Sequence, residues 1–414
     1  MIAPKSETPI LDLISPLPKR RNGRWRRFVR SLLGFALGVV LFPIGILIVY
    51  GLIKIIGEQA IAVPTDVLLP LFPIEIFAVI TVHELGHVVV GRAVGLRFKR
   101  LVIGPVLITS SAQGLKFSLY RDFNFGGFAG MGIRRLGRLR SKLAFEVAAG
   151  VIANLISGFA AALAIRYGMA GPVTLVVQSL EVFAVMSMFV AIPNLAPFWL
   201  RNGLSSDGKK LLWLLTSKAK TSRWICILAL EMQLESGVRP KHLKRTWIAR
   251  ACAVQDRSPM EVAALWIAYV AAQDREQTET AAQRLEECLQ RFTVASQQYR
   301  ALLLTEAAVF QAWNRENEEK AAVWYSKANG NGPGDPLATI RLAISMSWAG
   351  RRYDEALSAW QQGLDRIENL PPSPAKNLVE QSWLGWKDEM DKRRAKSATP
   401  EDRNSQVCPA QASS

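Results

Sequence analysis

The stretch LLPLFPIEIFAVITVHELGHVVVG, Leu68–Gly91, decides how the rest of the chain is read. At about 1.5 Å per helical residue it is long enough to cross the ~30 Å hydrocarbon layer of a bilayer. Inside it sits an HExxH. His83 and His87 are four apart, so on a helix both imidazoles leave one face and can bind one metal ion. Glu84 lies beside them and can reach a water on that metal without being a ligand. The chain has 3 histidines, and two of them are here. Ionisable groups inside an apolar span are expensive and usually functional. The plainer alternative is that the three side chains only hydrogen-bond neighbouring helices.

Three further apolar segments flank this one. Ser31–Ile53 is a run of 23 uncharged positions. Another covers about Leu143–Ile165, and a last one lies between Pro172 and Leu200. KRRNGRWRRFVR, Lys19–Arg30, stands before the first and no cleavage site follows it, which predicts an uncleaved span with a cytoplasmic N-terminus. Between the second and third spans, Arg92–Lys142 carries 11 Lys/Arg against one acid, Asp122. The segments assigned to the other side hold only Lys54 and Arg166. The positive-inside rule therefore predicts four spans, both termini cytoplasmic, in a multi-pass protein of the cell membrane.

Composition supports this arrangement. Of the formal charge of +17, +12 falls in residues 1–208, the half that holds the apolar runs. Basic residues that flank spans are explained by topology, so nucleic acid is excluded as a partner and the lipid bilayer takes its place. The four cysteines, Cys226, Cys252, Cys288 and Cys408, lie far apart without CxxC spacing. They form neither a disulfide framework nor a zinc ribbon, and fit a C-terminal half in a reducing cytoplasm.

The basic loop is not uniformly helical. LVIGPVLI and LKFSLY are β-prone runs separated by SSAQG, which predicts a hairpin. GGFAGMG follows, with four glycines in seven residues, where the backbone turns tightly or approaches something closely.

A catalytic zinc keeps three protein ligands and an open position. His242 lies in the polar stretch RPKHLKR and reads as a solvated helix face. Among carboxylates Asp207 stands out, in Asn194-Leu-Ala-Pro197 followed by Ser206-Asp207-Gly208, at the cytoplasmic end of the fourth span. HELGH in a span, then NxxP and Asp-Gly, resembles the site-2 protease family of intramembrane zinc metalloproteases. GVIAN, Gly150–Asn154, is similar to that family's GPxxN, and GGF at Gly126–Phe128 to its glycine-rich stretch. The resemblance covers about residues 70–212. It implies Zn2+ held by His83, His87 and Asp207, with Glu84 as catalytic base. It implies further that Asn154 and Asn194 touch the substrate backbone or the oxyanion, interhelical hydrogen bonds being their alternative. Two departures stand out. Asn194 and Asp207 are thirteen apart, five more than the family pattern, within FWLRNGLSS. Val151 replaces the proline. The other acids of the spans, Glu75, Glu146 and Glu181, are expected near span ends, reaching toward water.

From Lys209 the sequence predicts helix after helix. The pairs are 259–273 with 277–292, 301–314 with 317–328, and 336–349 with 353–367. Ala321 to Tyr325 and Ala356 to Trp360 recur at about 35 residues, which resembles tetratricopeptide repeats. Stacked pairs of this kind present a concave surface for a cytoplasmic protein partner.

The expected architecture is an all-α integral membrane protein of about four transmembrane helices with a short β-hairpin in the cytoplasmic loop. Its parts are a basic N-terminus (1–30), a transmembrane metalloprotease domain (31–208), a cytoplasmic helical-repeat domain (209–391) and a disordered tail (392–414). Its expected function is hydrolysis of peptide bonds in or next to transmembrane segments of membrane-protein substrates. The alternative is a protease-like membrane anchor that no longer cuts, whose repeats serve as a scaffold.

Overall fold

The computed structural model describes residues 65–111, 114–119, 126–168, 174–198, 205–295, 297–329, 336–370 and 373–397, together with Leu11, Leu47, Tyr50, Gly51, Lys54 and Ile55. The expected first span, apart from Leu47, Tyr50 and Gly51, lies outside them, as do Asp122, Cys408 and nearly all of the basic N-terminus.

Three helices stand where the second, third and fourth spans were expected: α1 (Thr65–Ala93), α2 (Leu139–Arg166) and α3 (Thr174–Leu195). Among the described residues these are the helices long and apolar enough to cross a membrane. Lipid tails are as apolar as leucine, so such helices associate through close backbone packing at small residues. Gly86 of α1 provides it: a Cβ there would stand 2.7 Å from the Ala149 carbonyl oxygen and from Ala153 Cβ of α2. The outward faces carry exposed Phe72, Ile74 and Phe77 on α1 and Phe145, Ile156 and Phe159 on α2.

The loop between α1 and α2 is a four-stranded antiparallel sheet, where one hairpin was expected. Its strands are β1 (Arg97–Ile103), β2 (Val106–Ser111), β3 (Gly114–Leu119) and β4 (Gly127–Gly132), in the order β3-β2-β1-β4. LVIGPVLI itself folds back at Gly104, whose φ of 53° suits glycine. GGFAGMG is not a turn but strand β4, paired with β1 from Ile103↔Gly127 to Arg97↔Gly132. Alternate residues Gly127, Ala129 and Met131 face α1: Gly127 lies on Glu84, Ala129 packs near Ile80 and Val88, and Met131 lies over Gly91. Small side chains let this strand lie close against a helix.

The rest of the described chain is helical: α4 (Asp207–Thr216), α5 (Lys218–Glu235), α6 (Arg245–Cys252), α7 (Pro259–Asp274), α8 (Thr278–Gln290), α9 (Gln297–Trp313), α10 (Glu318–Asn329), α11 (Pro336–Ala349), α12 (Tyr353–Glu368) and α13 (Pro374–Ser397). The three expected helix pairs are α7 with α8, α9 with α10, and α11 with α12. Ala321, Ala356 and Trp360 are buried, but Tyr325, the match to Trp360 at that period, is 40% exposed, and the neighbouring Trp324 is buried instead. Helix α13 closes the stack with aromatic side chains. Trp360 and Trp383 each donate an indole N–H to the other's main-chain oxygen at 2.9 Å, and Trp386 stacks on Trp313 at 4.5 Å between centroids. This helix runs to Ser397, past the expected start of the tail at 392.

The expected boundary at residue 208/209 falls inside α4. Leu214 of α4 and Ala229 of α5 share one core with Leu96, Leu139, Leu143 and Val147, and Lys99 of β1 pairs with Glu235 of α5 at 2.6 Å. The cysteines Cys226, Cys252 and Cys288 are free thiols. Burial pushes the Cys252 thiol up to about 11, so it stays protonated and unreactive.

Arg223 fastens α5 to the start of α7. It is 1% exposed and donates to Asp256 through two bonds of 3.0 and 2.8 Å, to Ser258 Oγ at 3.1 Å and to the Val254 carbonyl at 3.1 Å. Ser258 in turn caps α7. Arg223→Met should cost roughly 2–4 kcal/mol, the lower end because Asp256 is partly solvated and can rehydrate. A thermal melt in detergent checks this, with a drop of several degrees expected and an unchanged midpoint counting against it.

Candidate metal centre

Helix α1 presents His83, Glu84 and His87, all buried, and α4 brings Asp207 to them. His83 Nε2 and His87 Nε2 are 3.3 Å apart, and Asp207 Oδ2 stands 3.1 Å from the first and 3.3 Å from the second. A tetrahedral ion with bonds of about 2.0–2.1 Å needs ligand-to-ligand edges of about 3.3–3.4 Å. The three measured edges come close to that triangle. Lone pairs brought so near repel unless a proton or a cation lies among them. Donor type, spacing and burial therefore all fit a zinc ion.

The orientation of the two rings supports this. His87 Nδ1 donates to the Glu146 carbonyl at 2.7 Å, which leaves its Nε2 lone pair facing the triangle. On His83, Nδ1 faces the Asn154 amide at 3.3 Å, and Asn154 Oδ1 is buried with no hydrogen-bond partner. Half a turn of that amide puts the oxygen on the Nδ1–H and frees His83 Nε2 in the same way. Gly150 of α2 leaves the remaining face open. A Cβ there would lie 2.8 Å from His83 Nε2 and against His87 Nε2.

Asp207 reaches the site because of how α4 begins. Ser206 caps the helix by accepting from Lys209 N–H, and its hydroxyl donates to the Ala196 carbonyl at 2.5 Å. Phe198 N–H donates to Ser206 Oγ at 3.1 Å, and Ser206 N–H donates to the Phe198 carbonyl at 3.1 Å. These bonds hold Phe198 and Ser206 together at the two ends of the stretch in which the five additional positions were expected. Gly208 packs against the Leu195 carbonyl so closely that no Cβ fits. Burial works against the Asp207 charge. The Lys210 ammonium, 3.1 Å from Oδ1, opposes this and holds the carboxyl below the usual range.

The other sequence candidates fall as follows. His242 ends an exposed single turn, Pro240–His242, apart from the cluster. Asn154 is fully buried between α1 and α2 and meets His83. Asn194 is half-buried and donates to the Val190 carbonyl of its own helix at 2.9 Å. Glu75, Glu146 and Glu181 do not reach water; all three are buried. Ser179 donates to Glu75, and Glu146 Oε1 stands 3.9 Å from His87 Nδ1. Sequence reading missed Lys210 and, though it singled out GVIAN, gave Gly150 no role at the site. The i, i+3 spacing of Lys210 from Asp207 on a helix was the signal for the first.

With this geometry in place, comparison with known proteins agrees on the class. Residues 71–171, from α1 through the sheet to α2, match the family model for Peptidase family M50, the site-2 protease family, whose members are zinc metallopeptidases. The matched stretch holds His83, Glu84, His87, Gly150 and Asn154. No curated protein and no solved structure matches the chain.

Two substitutions separate the roles of the glycines. Gly150→Ala fills the open face of the triangle, so zinc per chain should fall from about one toward zero, as measured by atomic emission on detergent-purified protein. Asp207→Ala should do the same, and His242→Ala should not. Gly127→Ala presses on Glu84, whose Oε1 would lie 2.5 Å from the new Cβ, and should leave zinc in place while reducing turnover. Retention of full zinc by Gly150→Ala would contradict the placement of the ion.

Proposed function

We propose that the protein is an intramembrane zinc endopeptidase of site-2 protease type, cutting membrane-protein substrates at or beside their transmembrane segments near the cytoplasmic face. The observation that carries this reading is the triangle of His83, His87 and Asp207 with Glu84 on the same helical turn, buried beside an apolar bundle. Zinc, when bound, supplies Lewis acidity toward the scissile carbonyl and acidifies water. Glu84 takes the proton of the attacking water and returns it to the leaving amine. The helix periodicity turns it ~100° from His83, which keeps it out of the ligand set and beside the open face.

A helical substrate hides its carbonyls in its own hydrogen bonds, so it must unwind to be cut. Among the described strands β4 has one neighbour, β1, and its Gly127 passes directly over Glu84. An unwound segment pairing along that edge brings its main chain to the base. Beside the strand lies an apolar cavity of about 420 Å3, lined by Ile74, Phe77 and Ile80 of α1, Gly104, Pro105 and Gly126, which suits apolar substrate side chains.

The contacts of Leu11 support a topology for this reading. Leu11 hydrogen-bonds Glu286, Gln311 and Trp324 of the helical domain, which favours a common side of the membrane for the two. An even number of crossings between them is then needed. Three candidate spans stand among the described residues, and the apolar run Ser31–Ile53 is our candidate for the fourth. The excess of Lys/Arg favours the cytoplasm as the shared side. The helix pairs, read as tetratricopeptide-like repeats, offer a surface for a cytoplasmic partner.

Glu84→Gln tests the mechanism. The variant keeps the shape of the side chain and should bind zinc normally, while cleavage of a substrate peptide in detergent falls by roughly 10²–10⁴. Cleavage at the wild-type rate would refute the role of Glu84 as base, and loss of zinc would show that it is a ligand.

A further inference from the structure

One residue from the N-terminal segment is seated deep in the helical domain. Leu11 is 2% exposed and belongs to the same core as Leu285, Leu289, Leu304 and Ala308. Its N–H donates to Glu286 Oε2 of α8 at 2.9 Å. Its carbonyl accepts from Gln311 Nε2 of α9 at 2.6 Å and from Trp324 Nε1 of α10 at 3.3 Å. Three helices thus contribute one side chain each to the two main-chain polar groups of a residue about 300 positions away.

This is not how a core residue is ordinarily satisfied. Buried main-chain groups pair mainly with other main chain, inside helices and sheets. Here both groups are met by side chains, while the leucine side chain goes into the core. Those are the features by which a groove holds a peptide: fixed partners for the backbone and a pocket for one apolar side chain. The donors are built in. Trp324 is 2% exposed and its indole has one N–H and no acceptor capacity, so it needs an acceptor brought to it. Glu286 is itself oriented, its other oxygen accepting from Gln290 Nε2 at 3.0 Å.

We propose that the groove formed by α8, α9 and α10 is a peptide-binding site for a segment centred on a leucine, and that its resident ligand is the chain's own N-terminal segment around Leu11. The site rests on the helical domain alone and does not depend on the protease reading. Leu11 lies eight residues before the basic run that begins at Lys19. The bound segment therefore ties the helical domain to the membrane surface. A leucine-centred segment of another protein with a free N–H and carbonyl carries the same complement and competes for the groove.

The test uses full-length protein in detergent and a fluorescein-labelled peptide of residues 5–17, with binding followed by anisotropy. Two proteins vacate the groove, Leu11→Asp and a chain lacking residues 2–17. Both should bind the peptide at least about tenfold more tightly than wild type, where the tethered segment competes at an effective concentration of about millimolar. Trp324→Phe, placed in the Leu11→Asp protein, removes one hydrogen bond and should weaken binding about fivefold. A peptide carrying Leu11→Asp should not bind. Equal binding to wild type and vacated proteins, or none to vacated proteins that melt as wild type does, would overturn the proposal. So would unfolding of the helical domain in both vacated proteins, because Leu11 would then be core and not ligand. A wild-type dimer that Leu11→Asp converts to monomer would overturn the assignment of the segment to its own chain.

Discussion

Two imidazoles and a carboxylate meet within 3.3 Å of one another at the wall of an apolar helix bundle, and the surrounding structure serves to hold them there. Such a cluster is costly in a low dielectric unless its charges are paired and its ring nitrogens committed. Each demand is answered locally. The Glu146 carbonyl commits His87 Nδ1, Asn154 commits His83 Nδ1, and Lys210 balances the outer oxygen of Asp207. Access is provided by missing side chains. Gly86 brings α2 against α1, Gly150 leaves the open face, Gly127 lets β4 cross Glu84, and Gly208 lets α4 start against the end of α3. A methyl group at any of these positions would meet main chain or a site residue.

That pattern explains what could be read in the sequence and what could not. HELGH was legible because helical periodicity alone puts both imidazoles on one face, and the chain holds few other histidines. The three helix pairs after residue 259 were legible for the same reason: apolar positions recur at helical spacing, as buried Leu303, Leu304, Ala307, Ala308 and Phe310 do. Strand β4 was not. Glycine has low strand propensity, and what makes this segment a strand is the helix it lies against, a tertiary fact absent from local composition. Glu146 was misplaced because hydropathy locates a residue along a span but not around it. At the end of α2 it faces inward, beside His87, so it does not reach water.

Asp207 shows a third kind of limit. Its Asp-Gly context and position after the last span pointed to it, while the insertion argued against it. The distance along the chain was a poor guide to distance in space. Hydrogen bonds exchanged between Phe198 and Ser206 hold the two ends of that stretch together, and the Ser206 cap then sets the helix that aims the carboxylate. Loop closure costs little as length grows, so a longer stretch between them is compatible with this placement of Asp207.

The same helix bears on how the C-terminal helices connect to the site. Helix α4 is pinned at both ends, by Ser206 at its start and at its end by Arg140 of α2, which donates to the carbonyls of Leu214 and Leu215 at 2.5 and 2.9 Å. Helix α5 follows after Ser217 alone and shares the Leu96, Leu139 and Leu143 core. Switching the site from the C-terminal helices would require α4 to have two packings, since coupling between distant sites needs an element that both can bias. The first turn, which bears Asp207, is held by buried Ser206, and the last turn by the exposed Arg140. A second packing of α4 would therefore be reached more easily at its C-terminal end than at the turn that aims Asp207.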